Sequence, residues 1–268
     1  MALTDKLSAI GAAIRAKTGK TDKLTLDEMP TEIEGIQTGG GEDGAIPADK
    51  YFEGGYETVE LPNATAIKQY AFYNDEKLNN ITMPNVTQIG QYAFRGCDEL
   101  KITSLPSGIT SIPTYAFQAC TKLALAELPD GITNISERAF DGDSSMILHK
   151  LPDKLQTVGN YAFQNCVYIR PLELPMGLTE IGTSAFAYCS RIGITEIPNS
   201  VTKIGNYAFS DCGRTVITFK GTPTSIGNAS FRNNPQLTII NVPWAEGAVA
   251  NAPWGATNAT INYNYTGE

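Results

Sequence analysis

Residues 159–166 read GNYAFQNC, residues 205–212 read GNYAFSDC, and residues 90–97 read GQYAFRGC. Three near-copies in one chain mark an internal repeat, which governs every other reading of the sequence. The phenylalanines keep time at Phe72, Phe94, Phe117, Phe140, Phe163, Phe186, Phe209 and Phe231, in steps of 22 or 23 residues. Prolines follow at Pro62, Pro84, Pro106, Pro129, Pro152, Pro175 and Pro198, and Pro243 rejoins after an irregular stretch at 218–223. An aliphatic stands five before each Phe: Ile67, Ile89, Ile112, Ile135, Val158, Ile181, Ile204 and Ile226. Ala precedes Phe in every copy but the last, where Ser230 stands. A unit this short cannot bury its own apolar face, so the period predicts a solenoid in which identical residues stack between coils. The Phe column fills the interior, and the small Ala column lets adjacent backbones approach.

The column three after Phe reads Asp75, Cys97, Cys120, Asp143, Cys166, Cys189, Cys212 and Asn234. These are all five cysteines of the chain. An odd count without a Cys-x-x-Cys pair predicts reduced, buried ladder thiols rather than disulfides or a zinc site. Asp143 takes a Cys position inside the stack, so its carboxylate must meet donors or water. After each Cys a short strand is expected, as in KITSLP (101–106) and PLELP (171–175). Inward positions there fall three, five and eight after Cys (Leu100, Ile102, Leu105), which breaks alternation and predicts a bulge or bend. The end copies use three, six and eight instead (Leu78, Ile81, Met83; Leu237, Ile240, Val242).

The recurring Pro, Ile, Ala-Phe and Cys over about residues 56–243 resemble the BspA-like leucine-rich repeats. That resemblance implies an α/β solenoid: a right-handed leucine-rich repeat of about eight 22–23-residue coils, with short parallel strands on one face. Residues 45–243 are assigned to the solenoid, with 45–61 as its N-terminal cap and 244–268 as its C-terminal cap. Trp244 and Trp254 can cover the last Phe, and the end of that segment alternates as a strand.

Residues 1–37 do not repeat. Leu3, Leu7, Ile10 and Ile14 form an amphipathic stripe, and a second short helix can start at Pro30. The reading is a small helical attachment module, followed by a flexible linker at 38–44. Within it, TGKT (18–21) lacks the first glycine of a phosphate-binding loop, since Ile14 stands there; Gly19 fits a helix C-cap. The stretches 13–36 and 242–265 resemble the ends of prophage tail and virion-associated proteins. This implies attachment through residues 1–37 to other virion proteins or to a sister subunit.

The chain has 268 residues, 42% of them apolar, and a net charge of −8, so a packed acidic protein is expected and nucleic acid is not a partner. No segment approaches the roughly 18 apolar residues of a membrane span, and Asp5, Lys6 and Arg15 do not fit a secretory signal. The expected location is the virion, assembled in a bacterial cytoplasm. No enzyme is expected: His149 is the only histidine, and no nucleophile elbow or dinucleotide fingerprint occurs. No cofactor and no metal is implied. A binding surface is, and two columns are its candidates. Two before Phe stand Tyr70, Tyr92, Tyr115, Arg138, Tyr161, Ser184 and Tyr207; two before Pro stand Glu60, Thr82, Ser104, Glu127, Lys150, Glu173 and Glu196. The ligand-binding candidates are Tyr70, Tyr92, Tyr115, Arg138, Tyr161 and Tyr207, with Glu127, Glu173 and Glu196. Tyr and Arg anchor interfaces, and a Tyr stripe can stack on sugars; packing between coils also produces such a stripe. The functional expectation is a phage tail-associated protein that recognises a host-surface protein or glycan. The alternative is a bacterial cell-surface adhesin or protein-interaction module.

Overall fold

The computed structural model describes residues 57–170 and 173–267, and places two short strands before them, Lys23–Thr25 and Ala45–Ile46. The chain winds as a solenoid of parallel strands. Every Phe-bearing coil contributes a two-residue strand that ends on the aliphatic five before Phe, from Ala66–Ile67 to Ser225–Ile226. The pairing keeps these aliphatics in register, Ile135 on Val158 and Val158 on Ile181. Their side chains point inward and are buried.

Behind them the eight Phe rings form one continuous stack. Centroids lie 5.1–5.7 Å apart and planes within 14° of parallel. All eight rings are buried, each worth on the order of 1.5–3 kcal/mol of apolar transfer. Five coils approach their neighbour most closely at a glycine four before Phe (Gly90, Gly159, Gly182, Gly205 and Gly227), while Lys68, Pro113 and Ser136 stand there in the others. A Cβ on Gly205 would sit 2.4 Å from the Thr183 backbone nitrogen.

The Phe-bearing segment is a run of three β-turns. In one coil the amides of Ala162, Gln164 and Cys166 bond back to Gly159, Tyr161 and Phe163, while those of Tyr161, Phe163 and Asn165 donate to the next coil at 2.8–3.0 Å. Alternate amides thus leave the segment, and a helix cannot form. Left-handed φ at Tyr161 (59°) and Asn165 (61°) reverses the chain twice. This corrects the α/β expectation: among the described residues there is no helix, and strands and turns build every coil.

The expected strands after Cys also need correction. Strands occur there near the two ends, at Thr58–Glu60 and Asn80–Thr82, then at Glu196–Ile197, Val216–Phe219 and Ile239–Asn241. Residues 101–106 and 173–175 are not strands, and 171–172 lie outside the described residues. Thr103 and Ser104 both face solvent between buried Ile102 and Leu105, which interrupts the alternation a ladder uses. The coil with Thr195 and Glu196 has the same spacing, and there a two-residue strand forms beside the longer Val216–Phe219.

The five thiols are buried and unpaired. Each Sγ donates to the carbonyl of the Phe one coil back, at 2.9–3.0 Å. Burial pushes every one of these thiols well up from its ordinary pKa. Asn234 copies the thiol bond: its Nδ2 donates to the Phe209 carbonyl at 2.8 Å, and its Oδ1 accepts the Cys212 amide at 3.0 Å. Asp143 accepts the Cys120 amide at 2.8 Å, but its other carboxylate oxygen is buried without a partner.

At the C-terminal end Thr260–Asn262 pairs with Ile239–Asn241. Trp254 is fully buried and its indole donates to the Ala250 carbonyl at 2.8 Å; Trp244 packs on Phe219 at 5.2 Å. At the other end Lys23–Thr25 pairs with Thr58–Glu60, and Ala45–Ile46 with Ala66–Ile67. Strand pairing therefore reaches back across the expected linker. The Leu3–Ile14 stripe, TGKT, the helix from Pro30 and the linker 38–44 lie outside the described residues.

Candidate functional site

The Tyr column occupies the third position of the first turn in each coil. Its φ is +62° at Tyr70, +59° at Tyr92, Tyr115, Tyr161 and Tyr207, +52° at Arg138 and +53° at Ser184. That position favours Gly or Asn, because a side chain in the left-handed region is strained. Two kinds of contact hold these residues there. Each Tyr92, Tyr115, Arg138 and Tyr161 amide donates to the coil above at 2.8–3.2 Å, and the side chains stack on one another.

Tyr70 lies on Tyr92 at 4.9 Å and Tyr92 on Tyr115 at 4.7 Å, with ring planes within 19°. Arg138 continues the row, 5.9 Å from the Tyr115 centroid and 4.2 Å from that of Tyr161. Ser184, which is buried, ends it. Tyr207 stands beyond the break with Arg232 5.9 Å away. The structure thus brings Tyr70, Tyr92, Tyr115, Arg138 and Tyr161 into one strip and leaves Tyr207 apart.

Two further residues belong to the strip. Arg95 lies 5.4–5.9 Å from the rings of Tyr73, Tyr92 and Tyr115, and donates to the Tyr73 hydroxyl at 3.1 Å. Both occupy the column after Phe, which varies freely (Gln118, Asp141 and Gln164 follow), so no periodic signal marks them; only the i to i+3 reach of a turn does. Arg138 is held by Asp141 at 2.7 Å, and Asp141 also accepts from Gln118 at 3.0 Å. Partial desolvation, then Tyr115 and Tyr70 alongside, raise the Tyr92 phenol above its ordinary pKa.

The acidic column belongs to the other strand-bearing side, where Glu196 lies in its own strand. Glu127, Glu173 and Glu196 are all exposed. Glu196 pairs with Lys220 at 2.9 Å, and Lys150 stands between Glu127 and Glu173 in the column, so these three make no continuous anionic surface. On this side a groove of about 330 Å³ runs between residues 80–84 and 101–106, where a regular strand faces a bulged coil. Buried Ile81, Met83, Ile102 and Leu105 line it, and Lys101 is its one charged residue. His149 is exposed. Among the described residues no three His, Cys, Asp or Glu side chains gather to hold a metal ion, and no helix is long and apolar enough to cross a membrane.

Residues 45–170 and 156–246 match the BspA type leucine-rich repeat region, in six copies. The chain belongs to the BspA-type leucine-rich repeat family. Members of this type are binding scaffolds, and this solenoid is one. Among solved structures, the leucine-rich repeat protein of T. pallidum is 28% identical with a TM-score of 0.50, over 58% of this chain and 76% of that one. A leucine-rich repeat protein from Bacteroides ovatus is 23% identical with a TM-score of 0.50, over 78% of this chain and 61% of that one. A leucine-rich cell surface protein from Faecalibacterium prausnitzii is 22% identical with a TM-score of 0.42, over 79% and 80%. No curated protein matches the chain. The phage-tail resemblance of the two ends finds no support in these matches.

Proposed function

We propose that this BspA-type solenoid is a non-enzymatic adhesin-like module of a bacterial surface, and that its ligand seats on the strip from Tyr70 to Tyr161. The carrying observation is the unbroken Tyr70–Tyr92–Tyr115–Arg138–Tyr161 row, held in strained backbone and half open to solvent. The turn of each coil holds this position left-handed, and where Tyr or Arg fills it the side chain is a favoured interface anchor. The family resemblance favours the adhesin setting over the virion one, and the virion reading gives way to it.

The test is an array of immobilised glycans and extracellular-matrix proteins, probed with the full chain. Tyr92→Asn/Tyr115→Asn suits the left-handed backbone and removes the rings. It is expected to lose the wild-type signals, while Glu127→Gln/Glu173→Gln on the other side keeps them. Signals that survive the double tyrosine change, or a wild-type chain that retains nothing, count against the proposal.

A further inference from the structure

Resting on the binding-module reading above, we infer that the strip takes a uronic-acid glycan, with a carboxylate on Arg95 and sugar hydroxyls along the row of phenols. The stacking geometry decides the mode. Tyr92 has Tyr70 on one face at 4.9 Å and Tyr115 on the other at 4.7 Å. Its faces are taken, so a sugar cannot lie flat on this ring as on an isolated one. What remains is a row of ring edges and hydroxyls, each a donor and an acceptor, repeating once per coil. A repeating row of identical polar groups matches a polymer of repeating hydroxyls.

Arg95 supplies the charge preference. Its neighbours are three phenol rings and one hydroxyl. Among the described residues no carboxylate pairs with it, in a chain with 28 acidic and 20 basic residues. A guanidinium has five N–H donors and takes a carboxylate in bidentate fashion; Tyr73 uses one of the five. Arg138 is different, because Asp141 already occupies it at 2.7 Å, and exposed Glu137 stands beside it in the chain. The strip therefore suits widely spaced carboxylates rather than a dense polyanion. A protein partner would seat anchor side chains in desolvated pockets. The groove at 80–84 and 101–106 lies on the other strand-bearing side, so it offers the strip no such pocket.

Calorimetry of the full chain tests this with an oligosaccharide in which a glucuronate alternates with a neutral N-acetylhexosamine. The oligomer is expected to bind, and its methyl ester to bind weaker by about tenfold or more, the loss of one charge-assisted contact. Arg95→Gln is expected to weaken the acid oligomer by the same factor, leave the methyl ester unaffected and keep the melting temperature. Equal binding of acid and ester overturns the inference. Tighter binding of poly-L-glutamate overturns it in favour of an acidic protein partner. If neither sugar binds while the array signals still vanish in Tyr92→Asn/Tyr115→Asn, the ligand class is wrong and the strip stands. If the array signals survive that variant, the reading beneath it fails as well.

Discussion

Asp143→Asn is a substitution whose sign and pH dependence both follow from the ladder. Asp143 is fully buried, in the column where the other interior coils donate a thiol to a Phe carbonyl. One carboxylate oxygen takes the Cys120 amide; the other has no partner. The titratable groups around it are Cys120, Cys166 and Asp141. Burial first, and then Asp141, push its pKa well up against the opposing Cys120 hydrogen bond. A carboxyl raised in the folded state favours folding fully below the unfolded value near 3.8, and that contribution is lost as pH rises toward the folded value. The slope in that window is about 1.4 kcal/mol per pH unit. Asn supplies the donor without a proton, as Asn234 does in the last coil. Relief of the orphaned oxygen is worth about 1–3 kcal/mol, and each kcal/mol moves the melting midpoint by about 2–4 °C in a chain of this size. Urea and thermal unfolding of both proteins between pH 4 and 8 are expected to show Asp143→Asn more stable at pH 7, with the gap closing toward pH 4. A less stable Asn variant at pH 7, or a gap independent of pH, would refute the reasoning.

Other substitutions probe the stack. Gly205→Ala places a Cβ 2.4 Å from the Thr183 nitrogen and is expected to cost about 1–3 kcal/mol; Gly131→Ala, whose nearest contact is 3.5 Å, is the neutral control in the same urea series. Phe163→Ala opens the middle of the ring stack, and a loss of about 3–5 kcal/mol is expected. A thiol reagent should label the native chain slowly and the denatured chain at five cysteines, read by mass spectrometry. Removing residues 1–46 strips the partners of Thr58–Glu60 and Ala66–Ile67, so light scattering should show self-association through the bared edges.

Much of the fold was legible because stacking repeats one residue type at one place. The Phe, aliphatic and Cys columns read directly as interior. The bulge was legible as well, since Ile102 and Leu105 leave two outward residues between them. The strands at 101–106 and 173–175 were misread, because such a spacing interrupts the alternation a ladder uses. The expected α component gave way to turns. The left-handed column two after Phe is mostly residues that suit it, Asn74, Gly96, Gly142, Asn165, Asp211 and Asn233, with Ala119 and Tyr188 as exceptions. The other left-handed column is Tyr, Arg and Ser, and gives no such sign. Of the site, the Tyr row was visible as a period. Its face-to-face stacking was not, and neither were Arg95 and Tyr73, which enter from a column without a pattern.

The most direct test of the strip is hydroxyl-radical footprinting of the full chain, free and bound to whichever array spot retains it. Tyr70, Tyr73, Tyr92, Arg95 and Tyr115 are expected to become protected, while Tyr168 and Tyr188, the most exposed tyrosines among the described residues, react as before. Protection of Tyr168 and Tyr188 with an unchanged strip would contradict the assignment.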